Sequence, residues 1–281
     1  MQELTSRTWN VHEQDGTVYF TVPSFEQTGL VRHGFSSRIG GFSRDPYGMN
    51  LSITSDDDPE NVLLNYRKMA GILGCKAEDM VVSAQVHGTQ ILRVGRSDRG
   101  KGVTRPREIT GIDGLITDES DVCLVTIHAD CVPVYLLDPV KKAIGLAHAG
   151  WRGTAAQIVA VTVRHMQEAF GTDPADLIAA IGPSIGPDCF ECGEELIPEF
   201  EKTFGAEARR FFRKAEAPGK YYGDLWEANR TALIASGVRP ESITVTDLCT
   251  ACRPDIFHSY RKTKTPGRMA AFLELKGADN G

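Results

Sequence analysis

The alternation of apolar and polar positions along the chain predicts a fold that mixes strands with helices. Strands are expected at 17–22, 29–37, 80–88, 111–118, 122–130, 177–186, 242–250 and 269–275. Helices are expected at 58–73, 154–170, 194–213 and 224–236. No Gly/Ser-rich or charged linker divides these segments, although the basic stretch 93–108 is expected to be an exposed loop. We therefore predict one α+β domain over residues 1–281, with a mixed β-sheet core flanked by helices.

The segment between Cys131 and His148 predicts a β-hairpin. The strand-like sequences PVYLLD and KKAIGLA are separated by the turn signal Pro139-Val140. If Asp138 and Lys141 flank the turn, Cys131 and His148 are directly opposed. Opposed residues on one face of an antiparallel pair have Cβ atoms roughly 4.5–5.5 Å apart. A thiolate and an imidazole at that separation can share one metal ion or one proton.

A third candidate ligand, His87, stands in the sequence QVHG at the end of an expected strand. Two histidines and a cysteine fill three of the four tetrahedral positions of zinc and leave one open. An open position is typical of catalytic zinc, because water or substrate can occupy it. The residue types at these strand ends therefore favour a zinc site formed by His87, Cys131 and His148.

Two residues near Cys131 have alternative roles at such a site. His128 could replace His87 as a ligand, or carry protons beside the metal. Asp130 could hydrogen-bond a ligand histidine or cap the turn, and the turn role is the favoured one.

Arginines in two loops are candidates for binding an anion. Arg38, in FSSRIGG, is flanked by small residues and could grip a phosphate with both guanidinium nitrogens; otherwise it is a solvated loop arginine. Arg152 stands two residues before the expected helix start at Thr154, where helix amides also favour an anion. Its alternative role is stacking on Trp151.

Two CxxC pairs, Cys189/Cys192 and Cys249/Cys252, bear on whether a second metal is bound. They are separated by a predicted helix and by far more chain than in compact zinc ribbons. Packed thiols are therefore favoured over a second metal site or a redox pair.

Composition limits the classes of partner. The 281 residues carry a formal net charge of −6, which argues against a surface built to hold nucleic acid or an anionic membrane. The opening residues lack a secretory pattern, and no apolar run reaches membrane-spanning length. We therefore expect a cytoplasmic protein whose seven cysteines are reduced thiols or metal ligands.

Several motifs together resemble one family over about residues 33–275. They are HGFSSRIGGFS, QVHG, DGLIT, HADCVPV, GLAHAGWRGT, IGPSIGPDCFE, DLCT and FHSYRK. The chain is identified by them as a member of the YfiH/YlmD family, also called laccase-domain or polyphenol oxidoreductase-like proteins, which includes a peptidoglycan editing factor. The resemblance implies a layered α+β fold with a β-sheet core, related to cysteine hydrolases of the deamidase toxin type.

The same resemblance implies zinc on His87, Cys131 and His148. It also implies phosphorolysis of adenosine, inosine, guanosine and methylthioadenosine, together with adenosine deamination. Purine nucleoside and phosphate are then the partners, and a homodimer is left open. An older label for the family, copper-dependent polyphenol oxidoreductase, is disfavoured because multicopper sites need many histidines and this chain has seven.

For this chemistry Arg38 is the first candidate for holding phosphate. Asp113, in DGLIT, and Asn50 are candidates for ribose or base contacts, and His128 or Asp130 for a proton shuttle. Two further functions are kept open. In one, Cys131 is the nucleophile and His148 is the base of a metal-free hydrolase that edits peptidoglycan precursors. In the other, the zinc is structural and the chain is a binding module.

Overall fold

The computed structural model describes residues 4–277, in which two six-stranded sheets stack on each other between helices. The strands are β1 (Asn10–Gln14), β2 (Thr17–Thr21), β3 (Val31–Ser36), β4 (Met80–Val82), β5 (Ile91–Arg93), β6 (Gly114–Thr117), β7 (Cys123–His128), β8 (Val132–Asp138), β9 (Ala143–Ala149), β10 (Ile178–Ile181), β11 (Glu191–Gly193), β12 (Phe212–Lys214), β13 (Lys220–Gly223), β14 (Ile243–Val245) and β15 (Met269–Leu275). The helices are α1 (Pro23–Thr28), α2 (Pro59–Leu73), α3 (Trp151–Ala155), α4 (Ile158–Phe170), α5 (Leu196–Phe204), α6 (Leu225–Ala235) and α7 (Tyr260–Thr263).

Both large sheets are mixed. The first has the order β1-β2-β3-β15-β7-β4 and the second the order β14-β10-β8-β9-β6-β5, while β11, β13 and β12 form a small third sheet. Most neighbours are antiparallel, but β4 runs parallel to β7, β5 to β6 and β10 to β14. The predicted α+β class with a mixed sheet core and flanking helices is confirmed.

The alternation of side chains along β7 shows how the layers are arranged. Leu124 lies in the apolar layer between the two sheets, together with Leu146 of β9. Its neighbour Val125 points to the other face of the first sheet, into a cluster with Met69 of α2. A third cluster joins the outer face of the second sheet to α4, α5 and α6. The order of layers is therefore helix, sheet, sheet, helix.

Helix α2 begins and ends as the sequence predicts. The Asp58 side chain accepts a hydrogen bond from the Glu60 amide, Pro59 occupies the first turn, and Gly74 ends the helix with a left-handed backbone at φ 75°. Gly171 ends α4 in the same way.

The expected helix start at Thr154 is wrong. Helix α3 already begins at Trp151, after Gly150, and it ends at Ala155. Gln157 then adopts a left-handed backbone, with φ 56°, before α4 starts at Ile158. The expected helix is therefore two helices, because the left-handed backbone of Gln157 interrupts the helical conformation.

Several expected elements are shorter than predicted. Strand β4 ends at Val82, so residues 83–88 form a loop. The helix expected over 194–213 ends at Phe204 and is followed by a short 3-10 segment and β12.

The β8/β9 hairpin forms as predicted, but the predicted register is wrong by two residues. Pro133, not Cys131, is paired with His148, and Asp138 is paired with Ala143. The Asp138 carboxylate accepts hydrogen bonds from the amides of Val140 and Lys141. These bonds close a four-residue connection instead of a two-residue turn. Because the shift is even, the same side chains stay on each face of the hairpin, and Cys131 becomes a diagonal neighbour of His148.

No helix within residues 4–277 combines the length and apolar character needed to span a membrane.

Candidate metal centre

The chain passes from the first large sheet to the second at two places, and each crossing carries a candidate ligand. The loop from β4 to β5 contains His87, and the three residues between β7 and β8 end at Cys131. His148 lies near the end of β9, next to the start of β8. The sandwich therefore brings the three side chains together at one edge.

The potential ligand atoms of His87, Cys131 and His148 all lie within 4.8 Å of one another. His87 is exposed, Cys131 is half-buried and His148 is buried. Two imidazoles and a thiol are a donor set that suits zinc, and the exposed side of His87 leaves room for a fourth ligand. The geometry thus fits the group that the sequence predicts.

Asp113, which directly precedes β6, positions two of these three residues. Its Oδ1 accepts a hydrogen bond from His148 Nδ1 at 2.9 Å and one from the His87 amide at 2.9 Å. Its Oδ2 accepts from the amides of Val86 and Gly88, at 3.0 and 2.8 Å. A carboxylate only accepts, so Nδ1 of His148 carries the proton and Nε2 is left for a metal or for Cys131.

These contacts also decide the protonation of Asp113 itself. Burial raises the pKa of a carboxyl group, but the hydrogen bonds from His148 and from the Gly88 and Val86 amides outweigh it and lower the pKa of Asp113. The side chain is fully buried and absent from the wall of the neighbouring cavity. The structure therefore places Asp113 behind the candidate ligands, where it does not line the cavity, and the expected contact with ribose or base stays a prediction.

A glycine makes room for the ligand side chains. A Cβ atom on Gly150 would lie 2.9 Å from His87 Cδ2 and 3.2 Å from Cys131 Sγ. Separations this short are tighter than ordinary van der Waals contact, so residue 150 must lack a side chain for the ligands to approach each other.

The three residues also change each other's ionisation. Burial would raise the pKa of the Cys131 thiol, but His148 and His87 outweigh it and lower this pKa to about 6. Burial disfavours the charged form of His148, but Cys131 and Asp113 outweigh it and raise its pKa to about 9. In the absence of a metal, Cys131 and His148 therefore favour a thiolate and an imidazolium at neutral pH.

His128 does not join the ligand group. Its Nδ1 donates to the Cys131 carbonyl at 3.0 Å, and its Nε2 accepts from the Thr126 hydroxyl at 2.8 Å. Burial, followed by the nearby charge of His148, lowers its pKa well below the ordinary value. His128 is thus a neutral residue that supports the turn between β7 and β8, and both of its ring nitrogens are hydrogen-bonded within the protein.

Asp130 is also held within the protein. It has a left-handed backbone, with φ 84°. Its Oδ1 accepts from the Thr250 hydroxyl at 2.6 Å, and its Oδ2 accepts from the Arg261 amide at 2.7 Å. The favoured turn role agrees with this geometry, because the side chain fixes the loop that presents Cys131.

A cavity of about 360 Å³ opens beside the ligand group. It is lined by Ser52, Ile53, Thr54, Ser83, Gln85, His87, Arg107, Ile127, Ala129, Cys131, His148, Tyr260 and Arg268. Two guanidinium groups, two hydroxyl side chains of one loop and an aromatic ring therefore face the same space as the candidate ligands.

The structure does not place the predicted anion-binding arginines in that cavity. The Arg38 guanidinium donates to the carbonyls of Pro254 and Pro46, at 3.0 and 2.5 Å, and so joins two loops. Arg152 stacks on Trp151, with 4.3 Å from its guanidinium carbon to the ring centroid, and lines a different cavity. The stacking alternative holds for Arg152.

Asn50 is fully buried and connects the loop that contains Ser52 to Arg268, the residue before β15. Its Nδ2 donates to Ser55 and Asp57, while its Oδ1 accepts from the amides of Ser52 and Arg268, both at 3.0 Å. These hydrogen bonds position two cavity-lining residues, Ser52 and Arg268, and the expected contact of Asn50 with ribose or base stays a prediction.

Sequence reasoning missed Arg107, Arg268 and Tyr260. Arg107 was part of the basic stretch expected to be an exposed loop. Arg268 directly precedes β15, and Met269 is paired with His128, so the pairing of β15 with β7 brings Arg268 beside the Cys131 turn. That signal depends on which strands pair, and strand order is not visible in a single sequence.

Known proteins resemble this chain both in sequence and in structure. The family described as multi-copper polyphenol oxidoreductase laccase matches residues 32–276. A Geobacillus stearothermophilus protein named purine nucleoside phosphorylase YlmD is 40% identical over 243 residues, covering 85% of this chain and 88% of that protein. The crystal structure of YlmD from Geobacillus stearothermophilus matches with a TM-score of 0.89 at 37% identity, covering 96% of this chain and 99% of the other.

The crystal structure of a Bacillus licheniformis hypothetical protein YfiH also matches with a TM-score of 0.89, at 33% identity, covering 96% of this chain and all of the other. Sequence and structure thus confirm the resemblance to YfiH and YlmD. The chain belongs to the family described as multi-copper polyphenol oxidoreductase laccase.

Proposed function

We propose that the protein is a zinc-dependent purine nucleoside phosphorylase. The observation that carries this proposal is the shared cavity, in which the ligand group faces Arg107, Arg268 and Tyr260. A phosphorylase must hold a phosphate, a ribose and a base within reach of one another. The name of the similar Geobacillus stearothermophilus protein supports the same activity.

Arg107 and Arg268 are the proposed phosphate-binding residues. Burial lowers the pKa of Arg268, and the nearby groups Asp130, Cys131 and Tyr260 oppose that effect. A guanidinium remains charged in proteins, and it attracts an anion more strongly where water is partly excluded. Nη1 of Arg268 also donates to the carbonyls of Thr265 and Gly267, which fix its position.

Tyr260 and Ile53 are the proposed contacts for the purine base. Their side chains are 52% and 38% exposed although they are large and apolar. Both line the cavity, where a flat base would cover them. The hydroxyls of Ser52 and Thr54 line the same wall and supply hydrogen-bonding groups for ribose.

In the proposed reaction an oxygen of phosphate forms a bond to C1′ of the ribose while the bond from C1′ to N9 of the purine breaks. The base leaves with the bonding electrons and takes up a proton, which yields free purine and ribose 1-phosphate. The arginines hold the attacking anion, and the apolar contacts hold the base as it leaves. A zinc ion on the three ligands would supply a Lewis acid at its fourth position.

The proposal extends to deamination of adenosine in the same cavity. That reaction replaces the C6 amino group by an oxygen from water and releases ammonia. The supporting feature is the open side of the ligand group toward the cavity. His128 and Asp130 are given no proton-transfer role here, because both are already hydrogen-bonded within the protein.

Copper oxidation, which the family description names, has less support. A multicopper site needs further histidines close to one another. Within residues 4–277, the other two groups of potential ligands contain cysteine and glutamate but no histidine. We therefore propose zinc as the metal.

A metal-free hydrolase is the second candidate function, because the lowered pKa of Cys131 beside His148 also suits a nucleophilic thiolate and its base. Peptidoglycan precursors are the proposed substrates of that alternative. It requires activity without metal and loss of activity on alkylation of the thiolate.

The deciding experiment measures zinc content together with product formation from inosine, with and without phosphate. We expect hypoxanthine and ribose 1-phosphate only when phosphate is present, loss of both products after chelation, and recovery with zinc. His87→Ala should bind one zinc fewer per chain. No hypoxanthine from zinc-loaded protein would refute the phosphorylase, whereas full activity of the chelated protein would refute the role of zinc.

A further inference from the structure

Three of the four cysteines in the CxxC pairs meet at a second cavity, which is not lined by His87, Cys131 or His148. The sulfur atoms of Cys189, Cys249 and Cys252 all lie within 4.8 Å of one another. Cys192 is directed elsewhere, with its sulfur donating to the Tyr221 carbonyl. The long separation in sequence, which favoured packed thiols, therefore does not keep the two pairs apart.

The loops after β10 and β14 bring these cysteines together. The Thr250 amide donates to the Ser184 carbonyl at 2.9 Å, and Ser184 and Cys249 form an isolated β-bridge. Gly186 is part of the same approach: a Cβ atom there would lie 3.2 Å from Cys249 Cβ and 3.1 Å from the Trp226 ring. The backbone of one loop is thus packed against the cysteine of the other.

The sulfur separations match those of thiolates on one tetrahedral ion. With Zn–S bonds of about 2.3 Å, two sulfurs on the same zinc are roughly 3.8 Å apart. Cys189 and Cys252 are at 3.3 Å, and the remaining pairs lie at 4.8 Å or less. One separation is therefore slightly shorter than the tetrahedral value and the other two exceed it by at most about 1 Å, so only small side-chain movements are needed to bind one ion.

The surroundings also suit thiolate ligands. The Gly186 amide donates to Cys249 Sγ at 3.2 Å, as amides commonly do to metal-bound sulfur. Cys189 and Cys249 are half-buried, Cys252 is exposed, and all three line a cavity of about 510 Å³. Water can therefore reach a fourth position from the cavity.

We propose that Cys189, Cys249 and Cys252 form a second metal site, which binds one Zn²⁺ ion through three thiolates. Thiolates are the protein ligands that select zinc and other thiophilic cations. Three thiolates this close repel one another, and a divalent cation removes that repulsion. The bound ion joins the loop after β10 to the loop after β14.

Zinc counting with serine variants tests this site separately from the proposed phosphorylase. The protein is prepared with excess zinc under anaerobic reducing conditions and desalted before metal analysis. We expect two zinc ions per chain in the unaltered protein and one in each of Cys189→Ser, Cys249→Ser and Cys252→Ser. Cys192→Ser is the matched control and should retain both ions. His87→Ala should lose only the ion of the other centre.

Cadmium-113 NMR of the unaltered protein gives a second readout that does not depend on a variant. Cadmium on three thiolates resonates at higher frequency than cadmium on two histidines and one cysteine. We expect both resonances, with the thiolate-rich signal missing in Cys252→Ser and present in His87→Ala.

A zinc content that is unchanged by all three serine substitutions would refute the site, as would a single cadmium resonance from the two-histidine centre. A Cys189–Cys252 disulfide in the anaerobically reduced protein, seen as a mass lower by two hydrogens, would also refute it. None of these results depends on nucleoside turnover, so failure of the second site and failure of the phosphorylase proposal are distinguishable.

Discussion

Asp113 and His148 form a buried pair in which Nδ1 of the histidine donates to Oδ1 of the carboxylate at 2.9 Å. The same carboxylate accepts hydrogen bonds from three backbone amides of the loop that carries His87. One side chain thus fixes both the ring orientation of His148 and the path of the His87 loop. Carboxylates behind histidine ligands typically contribute 10-fold to 100-fold to metal affinity.

Asp113→Asn is expected to lower zinc affinity by about 10-fold to 100-fold. An asparagine side chain has one acceptor oxygen, and its NH₂ group only donates. In the variant the NH₂ group would face other donors, either the two loop amides that bind Oδ2 or His148 Nδ1 together with the His87 amide, and those hydrogen bonds would be lost. Competition with a chromophoric chelator measures the change. Asp118→Asn is the control, since Asp118 makes an exposed pair with Arg93. Equal zinc affinity in both variants would show that Asp113 does not position the ligands.

Gly150→Ala is expected to weaken zinc binding, because its Cβ would press on His87 and Cys131. Zinc affinity is again the measurement, together with the free energy of unfolding. Gly71→Ala is the matched control, since a Cβ on Gly71 of α2 meets nothing within 4 Å. That substitution should stabilise the fold by roughly 0.5–1 kcal/mol and leave zinc affinity unchanged. Tight zinc binding by Gly150→Ala would contradict the packing argument.

Arg268→Ala is expected to raise the KM for phosphate more than the KM for inosine. Loss of a charged hydrogen-bond donor costs about 1.5–3 kcal/mol, which corresponds to roughly 10-fold to 100-fold in affinity. Initial rates at varied phosphate and fixed inosine measure it. An equal rise in both KM values would point to general damage of the cavity and not to a phosphate contact.

Arg38→Ala is expected to act on stability and to leave the KM for phosphate unchanged. The Arg38 guanidinium is occupied by two carbonyls and does not line the cavity. Its removal should lower the free energy of unfolding by roughly 1–3 kcal/mol, as measured by urea denaturation. A selective rise of the phosphate KM would restore the sequence-based assignment of Arg38.

These contrasts show which parts of the site can be predicted from sequence. His87, Cys131 and His148 are recognisable from sequence because two histidines and a cysteine are residue types that bind metal, and the structure brings their ligand atoms within 4.8 Å of one another although His87 lies in a loop and not at a strand end. The hairpin itself is predictable, but its register is not, since the hydrogen bonds of Asp138 decide the loop length. Arg268 was missed because its place depends on β15 pairing with β7, far apart in sequence. Contacts between distant segments thus set the roles of the arginines and of Asp113.

In metal-free protein, alkylation of Cys131 is expected to follow a midpoint near pH 6 instead of the usual range of a free thiol. Burial disfavours the thiolate, but His148 and His87 stabilise it and lower the pKa to about 6. The lowered pKa means that the thiolate forms above pH 6, so the rate should rise through pH 6 and level off by about pH 7. Mass spectrometry after iodoacetamide pulses identifies the alkylated cysteine.

His148→Ala should move the midpoint to higher pH because it removes the largest stabilising charge, and an unchanged midpoint in this variant would contradict the assignment. Zinc should suppress alkylation at every pH above 6, because the metal and the reagent compete for the same sulfur.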